Sequence, residues 1–316
     1  MEVLMNNNRY VNLKQRTKKS RNTFIYILML SPALIYFFIL HYLPMAGLVL
    51  AFKKYNHADG LFGSPWVGFD NFRFLFVSGT IGRVTFNTVM YNIIFLISCQ
   101  SIAVLIAVVL NELDSKIIKK IFHSFMFLPY FVSFVVVGAI VYNFFNYEYG
   151  MVNTILKSIG SQPINVYGWP EIWWGILTGL NTWKWVGYTS VIYLAGVTNI
   201  DPQLYEAAKI DGANIWQRVR IISLPALKPL VITIVLFQLG SIMKGQFELF
   251  YNVIRNNGQL YNATDVIDTY VFRMLVHNFN IGMGAAAGLY QSVFGLALIL
   301  TANYFVKKYQ KDYAFF

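Results

Sequence analysis

Only three acidic or basic side chains of the Asp, Glu, Lys and Arg types fall inside the long apolar stretches of this 316-residue chain: Lys184, Lys244 and Glu248. A lysine at the centre of a membrane-crossing helix costs roughly 2.5–3.5 kcal/mol on insertion scales, so each such charge needs a partner or a task. Asn181, Lys184, Trp185 and Tyr188 recur at three- and four-residue spacing, which places them on one helical face. That face suits a sugar. Polar groups meet hydroxyls, an aromatic plane meets the C–H side of the ring, and a lysine can hold a uronate carboxylate. The alternative is that Lys184 pairs with a carboxylate in the bundle or on a partner subunit simply to remain buried, and the sequence does not choose between the two. A second polar stripe, Gln238, Ser241, Gly245 and Glu248, has Lys244 beside it. Lys244 and Glu248 are four apart and are expected to pair on a shared helix, with pathway lining as the other possibility. Catalysis has no candidates. His41, His57, His123 and His277 are scattered, Cys99 is the one cysteine, and no cluster has metal-ligand spacing. No GxxxxGK[ST] phosphate loop occurs either, so any nucleotide site belongs to another polypeptide. The expectation is no catalytic residue, no metal and no cofactor in this chain.

The elements that position these residues follow from composition. Charged residues make up 12% of the chain, about half the share usual in a soluble domain, and mean hydropathy is +0.51. A soluble enzyme of this size is excluded, and 17% aromatic residues exclude disorder. The fold class is an all-α integral membrane protein. A crossing needs about 20 mostly apolar residues, and six stretches qualify: 24–50, 85–110, 121–145, 172–197, 230–250 and 282–306. Pro44 should kink or end the first. Trp173 and Trp174 read as interfacial anchors at the outer end of the fourth. The chain then divides into a basic tail over 1–23, a membrane domain over 24–306 and a short tail over 307–316.

Basic residues set the orientation. The N-terminal tail carries Arg9, Lys14, Arg16, Lys18, Lys19 and Arg21, and the second loop carries Lys116, Lys119 and Lys120. The fourth loop and the C-terminal tail add Lys209, Arg218, Arg220, Lys228, Lys307, Lys308 and Lys311. The opposite side holds Lys53, Lys54, Arg73, Arg83, Lys157, Arg255 and Arg273 over longer loops. Both termini are therefore expected in the cytoplasm, in a multi-pass protein of a bacterial cytoplasmic membrane. This asymmetry accounts for the net charge of +11 without nucleic acid as a partner.

The connection over 199–229 is far longer than the two to eight residues usual between helices of a bundle. Asp201 is an N-cap candidate, with Pro202 at the first helical position. A short helix through Glu206, Ala207 and Ala208 follows, ended at Asp211-Gly212, where glycine can adopt the left-handed conformation. Asn214 and Gln217 form a capping-box pattern for a second helix, with Ile215, Val219 and Ile222 on one face, which Pro225 should stop. A plain structural hairpin and a DNA-reading helix–turn–helix are the alternatives. The second lacks any set of base-reading residues.

Glu206-Ala207-Ala208, Gly212 and Ile222-Ser223-Leu224-Pro225 together resemble the EAA motif of bacterial ABC importer permease subunits, which have a MetI-like transmembrane domain. Ser31-Pro32-Ala33-Leu34-Ile35-Tyr36 and Gly63-Ser64-Pro65-Trp66-Val67-Gly68-Phe69-Asp70-Asn71-Phe72 are similar to sugar-importer permeases. Asp265-Val266-Ile267-Asp268-Thr269-Tyr270-Val271 resembles the LplB-type branch, which includes permeases for complex oligosaccharides and for alginate. The resemblance implies half of a translocation path for a sugar or oligosaccharide. It also implies a second permease subunit as heterodimer partner, two ATPase subunits carrying ATP and Mg, and an extracytoplasmic solute-binding protein. In this family the loop holds coupling helices that sit in a groove of the ATPase, which assigns that contact to Glu206, Ala207, Ala208, Asp211, Gly212, Ile222, Leu224 and Pro225. A self-sufficient ion-coupled secondary transporter is the competing function. It predicts inverted repeats with paired broken helices, and no internal repeat is evident. A membrane enzyme would need a cluster of acids, bases or ligands that the spans do not contain.

Overall fold

The computed structural model describes residues 23, 25–113 and 115–309. The basic N-terminal tail, apart from Thr23, and the C-terminal tail from residue 310 onward lie outside the described residues. Among the described residues helices are the regular structure, and the one β contact is an isolated antiparallel bridge between Lys53 and Trp66. Among those residues four helices are long and apolar enough to cross a membrane, or five if one sharply bent pair counts as a single span.

The first, α1 (Ile25–Phe52), changes its hydrogen-bond pattern at Phe38–Tyr42, where a π turn gives way to 3-10 turns over Leu43–Phe52. The change falls at Pro44, which lacks the N–H that a regular α-helix needs. None of the most apolar stretch of α1 is buried within the chain. After the short α2 (Asp70–Val77), α3 (Thr80–Glu112) has 33 residues and is about 50 Å long at 1.5 Å per residue. It forms the spine against which most later elements pack.

Two of the expected continuous spans are broken. The stretch 121–145 is split into α4 (Lys116–Phe127), a 3-10 turn at Leu128–Phe131, and α5 (Phe134–Phe145), with the two arms bent by 92°. Pro129 removes a donor, and Ser133 restarts the chain as an N-cap whose hydroxyl accepts from Val136 N–H at 3.4 Å. The stretch 230–250 is also not one helix. After a short α6 (Met151–Ser158), α7 (Trp173–Thr198) and α8 (Pro202–Ile210), helix α9 (Ile215–Leu239) stops before residues 240–246, and α10 (Phe247–Ile254) begins beyond them. The expected Lys244–Glu248 pair is therefore corrected. Lys244 sits on the unwound segment and Glu248 in the next helix, and the ion pairs within 4 Å among the described residues are Arg218–Glu112 and Arg273–Asp265. The chain closes with α11 (Ile267–Phe272) and the long α12 (Ile281–Tyr309).

Helix α7 matches the fourth expected span but is too polar to pass as lipid-facing. The reason is burial: Asn181, Thr182, Lys184, Thr189 and Ser190 all lie inside the bundle against neighbouring helices. Trp173 is also corrected from interfacial anchor to core residue, fully buried with its indole N–H donating to Val166 O at 3.0 Å. Trp174 stacks on Tyr91 with ring centres 3.9 Å apart.

Where α7 crosses α4, Gly187 touches the backbone directly: a Cβ there would lie 1.8 Å from the Met126 carbonyl oxygen. Gly187→Val should force the helices apart and lower stability by about 1–3 kcal/mol, as overpacking does. Thermal unfolding of the detergent-solubilised protein checks this, and an unchanged midpoint would contradict the contact.

Candidate functional site

Side chains from distant helices bond the backbone at both breaks. Asn92, twelve residues into α3, donates its amide to Ile242 O at 3.0 Å and Lys244 O at 3.1 Å, and Gln291 of α12 donates to Met243 O at 2.6 Å. The Asp268 carboxylate accepts the Gly245 N–H at 2.5 Å. Backbone freed from a helix inside a membrane must be satisfied by protein, and these side chains do it for the second break.

Lys184 does it for the first. Its ammonium donates to Tyr130 O at 3.0 Å and to Val132 O, and lies 4.8 Å from the centre of the Phe134 ring. Its partners are thus backbone carbonyls at the bend, where the sequence offered a sugar carboxylate or a protein carboxylate.

The other members of both stripes meet. Asn181, Trp185 and Tyr188 of α7, Gln238 of α9, and Ser241 and Lys244 of the unwound segment line one cavity of about 600 Å³. Lys184 and Glu248 are not among its lining residues. Asn92, Cys99, Thr189, Thr233 and Gln246 also line it, and sequence reasoning did not nominate them. Asn92 and Cys99 are seven apart on α3, a two-turn spacing that could have marked a face. Gln246 had no periodic signal because it belongs to no helix.

Three polar atoms on this lining are buried without any hydrogen-bond partner: Asn181 Oδ1, Trp185 Nε1 and Gln246 Oε1. Nearly all buried polar atoms in folded proteins are paired, so two acceptors and one donor on one cavity are open to a partner from outside the chain. Around them Phe95, Leu96, Ile192, Ile234 and Phe237 supply apolar wall. Gln238 is steadied by the Gln100 amide at 2.9 Å, and Gln100 in turn accepts from the Tyr193 hydroxyl. The arrangement can hold a hydroxylated ring. It contains no cluster of His, Cys, Asp or Glu able to hold a metal, among the described residues.

The long loop lies at the far end of α3. Glu112 there pairs with buried Arg218 at 2.5 Å, whereas Arg83 and Asn87 near the other end bond Asn262 and Asp265. Asp201 caps α8 by accepting from Gln203 N–H at 2.9 Å, with Pro202 at its start, and Gly212 adopts φ +77° just beyond its end. Asn214 and Gln217 make a reciprocal capping box at 2.9 and 2.7 Å. One expectation fails: Pro225 does not stop the second helix. A π turn at Val219–Ser223 widens the spiral ahead of Pro225, so helix α9 runs on into the membrane domain. Glu206, Ala207, Asp211, Leu224 and Pro225 are exposed, Ala208 and Ile222 are half-buried, and Ile210 and Trp216 stand 87% and 72% exposed beside them. Within the described chain nothing covers these apolar side chains of the polar loop.

Residues 101–311 match the family model described as binding-protein-dependent transport system inner membrane component. The chain belongs to that family. This permease is 32% identical to protein LplB of Bacillus subtilis (strain 168) over 292 residues, 92% of the chain and 91% of the relative. It is 31% identical to the polygalacturonan/rhamnogalacturonan transport system permease protein YteP of the same organism, over 90% of the chain and 88% of the relative. A crystal structure of a bacterial ABC transporter involved in the import of the acidic polysaccharide alginate superposes with a TM-score of 0.82 at 32% identity, covering 93% of the permease and 98% of that chain. A second, of a bacterial alginate ABC transporter in complex with alginate pentasaccharide-bound periplasmic protein, gives a TM-score of 0.81 over 92% and 96% of the two chains. The permease is thus a multi-pass inner-membrane subunit and not itself an enzyme.

Proposed function

We propose that the permease forms half of the translocation path for an acidic oligosaccharide, of the alginate- or pectin-derived kind, and that the cavity between α3, α7 and the unwound segment is its substrate passage. The observation that carries this is the convergence of six side chains from two stripes on one cavity whose buried Asn181, Trp185 and Gln246 atoms have no partner within the chain. Sugar hydroxyls both donate and accept, so they complement that mixture. The relatives that transport polygalacturonan and alginate support the acidic class.

Six crossings, with both termini in the cytoplasm, complete the proposal, the bent pair and α7 joining the four long apolar helices. Loop 199–229 then lies on the cytoplasmic side and hands the motion of a separate ATPase to α9, through Glu206, Ala207, Ala208, Asp211, Gly212, Ile222, Leu224 and Pro225. The membrane domain is 24–306 and the tails are 1–23 and 307–316. The bare apolar face of α1 meets lipid or the second permease subunit, and an extracytoplasmic binding protein delivers the sugar.

Copurification tests the assembly. A tagged chain solubilised in mild detergent should bring down a second membrane subunit and an ATPase, and vesicles holding the complex should take up oligouronate only with ATP and binding protein. Recovery of the chain alone, with uptake driven by a proton gradient, would overturn the proposal.

A further inference from the structure

The cavity contains one cation. Lys244 lies on its lining, and it makes no hydrogen bond through its ammonium and no ion pair within 4 Å among the described residues. The acids nearby are already committed or turned away. Asp268 holds the Gly245 N–H and accepts from Gln291 at 3.0 Å, feeling Lys244 only at longer range, and Glu248 is absent from the lining. The other intramembrane lysine, Lys184, is taken up by the carbonyls at the first break.

Lys244 is exposed on the cavity side, so its ammonium is open to an anion that enters, and attraction between the two charges strengthens as the ligand displaces water. Its place on the backbone adds a second reason. Lys244 is carried by unwound chain, whose carbonyl is anchored by Asn92, so the side chain is presented to the cavity from a fixed point. Asn181 is 2% exposed, and its unpartnered oxygen faces the same space.

We propose that Lys244 is the residue by which this cavity selects an acidic sugar, its ammonium receiving the uronate carboxylate while Asn181, Trp185 and Gln246 take hydroxyls of the same or the adjoining ring. The inference rests on the substrate passage proposed above and assigns its charge specificity to one side chain. It also moves that role away from Lys184, the residue the sequence nominated.

The test uses the whole importer in vesicles, supplied with an oligouronate and with the same oligosaccharide after its carboxylates are reduced to neutral alcohols. Lys244→Gln should lower kcat/KM for the oligouronate relative to the neutral sugar by at least about tenfold, the size expected for one charge-assisted hydrogen bond. Lys244→Arg should restore most of the ratio, and Trp185→Phe should depress both sugars together. An unchanged ratio in Lys244→Gln overturns the inference while leaving the passage standing. Equal loss of both sugars, with the second permease no longer copurifying, would overturn it in favour of an ion pair to that subunit. A wild-type complex that imports neither sugar on ATP would instead remove the broader reading.

Discussion

Gly212→Pro should abolish sugar-stimulated ATP hydrolysis by the assembled importer while leaving the permease inserted and folded. Proline holds φ near −65°, whereas Gly212 sits at +77° and donates its N–H to Lys209 O at 3.1 Å. The substitution therefore breaks both the turn and the bond that set α8 against α9. Its effect stays local, because the position is exposed and no atom lies within 4 Å of where a Cβ would stand. Glu206→Ala keeps the backbone and removes one exposed carboxylate from α8, so its loss should be partial, about tenfold, as for a single contact worth about 1.4 kcal/mol. ATPase assays with and without the loaded binding protein, alongside copurification, separate lost docking from lost transmission. Normal stimulation in both variants would show that the loop is not the lever. If Gly212→Pro failed to reach the membrane, a Gly212→Val variant, which strains the same dihedral without losing the N–H, would carry the test.

The loop was legible because its signals are local. An N-cap, a capping box and a left-handed glycine each act over three or four residues, and Asp201, Asn214, Gln217 and Gly212 all do what their types prescribe. Pro225 misled because it stands in the first turn after the π turn at Val219–Ser223, a position that requires no regular α hydrogen bond from its missing N–H. The breaks in 121–145 and 230–250 were hidden for a different reason. Hydropathy averaged over a span does not register six or seven residues of unwound chain, especially when long-range donors satisfy their backbone. Those donors, Asn92, Lys184 and Gln291, are 52 to 152 residues from the carbonyls they serve, or 48 in the case of Gln291. Periodicity did find which faces converge. Asn181, Trp185 and Tyr188 share a face on α7 and all reach the cavity, while Lys184, adjacent in sequence to Trp185, is turned to the bend between α4 and α5 instead.

Lys184→Met should destabilise the permease without changing its preference between acidic and neutral sugars. The variant deletes the donor to Tyr130 O and Val132 O and leaves both carbonyls unpaired at the bend. Each unsatisfied buried acceptor costs about 1–3 kcal/mol, and the cation–ring contact with Phe134 is lost as well. That is enough to loosen the 92° turn between the two arms and with it the α5–α10 packing beyond. The expected readings are a lowered unfolding midpoint and less assembled complex, with the surviving complex showing the wild-type ratio of oligouronate to neutral-sugar uptake. Selective loss of the oligouronate, at full stability, would return the carboxylate to Lys184 and take it from Lys244. The two lysines thus make opposite predictions in one pair of assays: removing one costs structure at constant selectivity, and removing the other costs selectivity at constant structure.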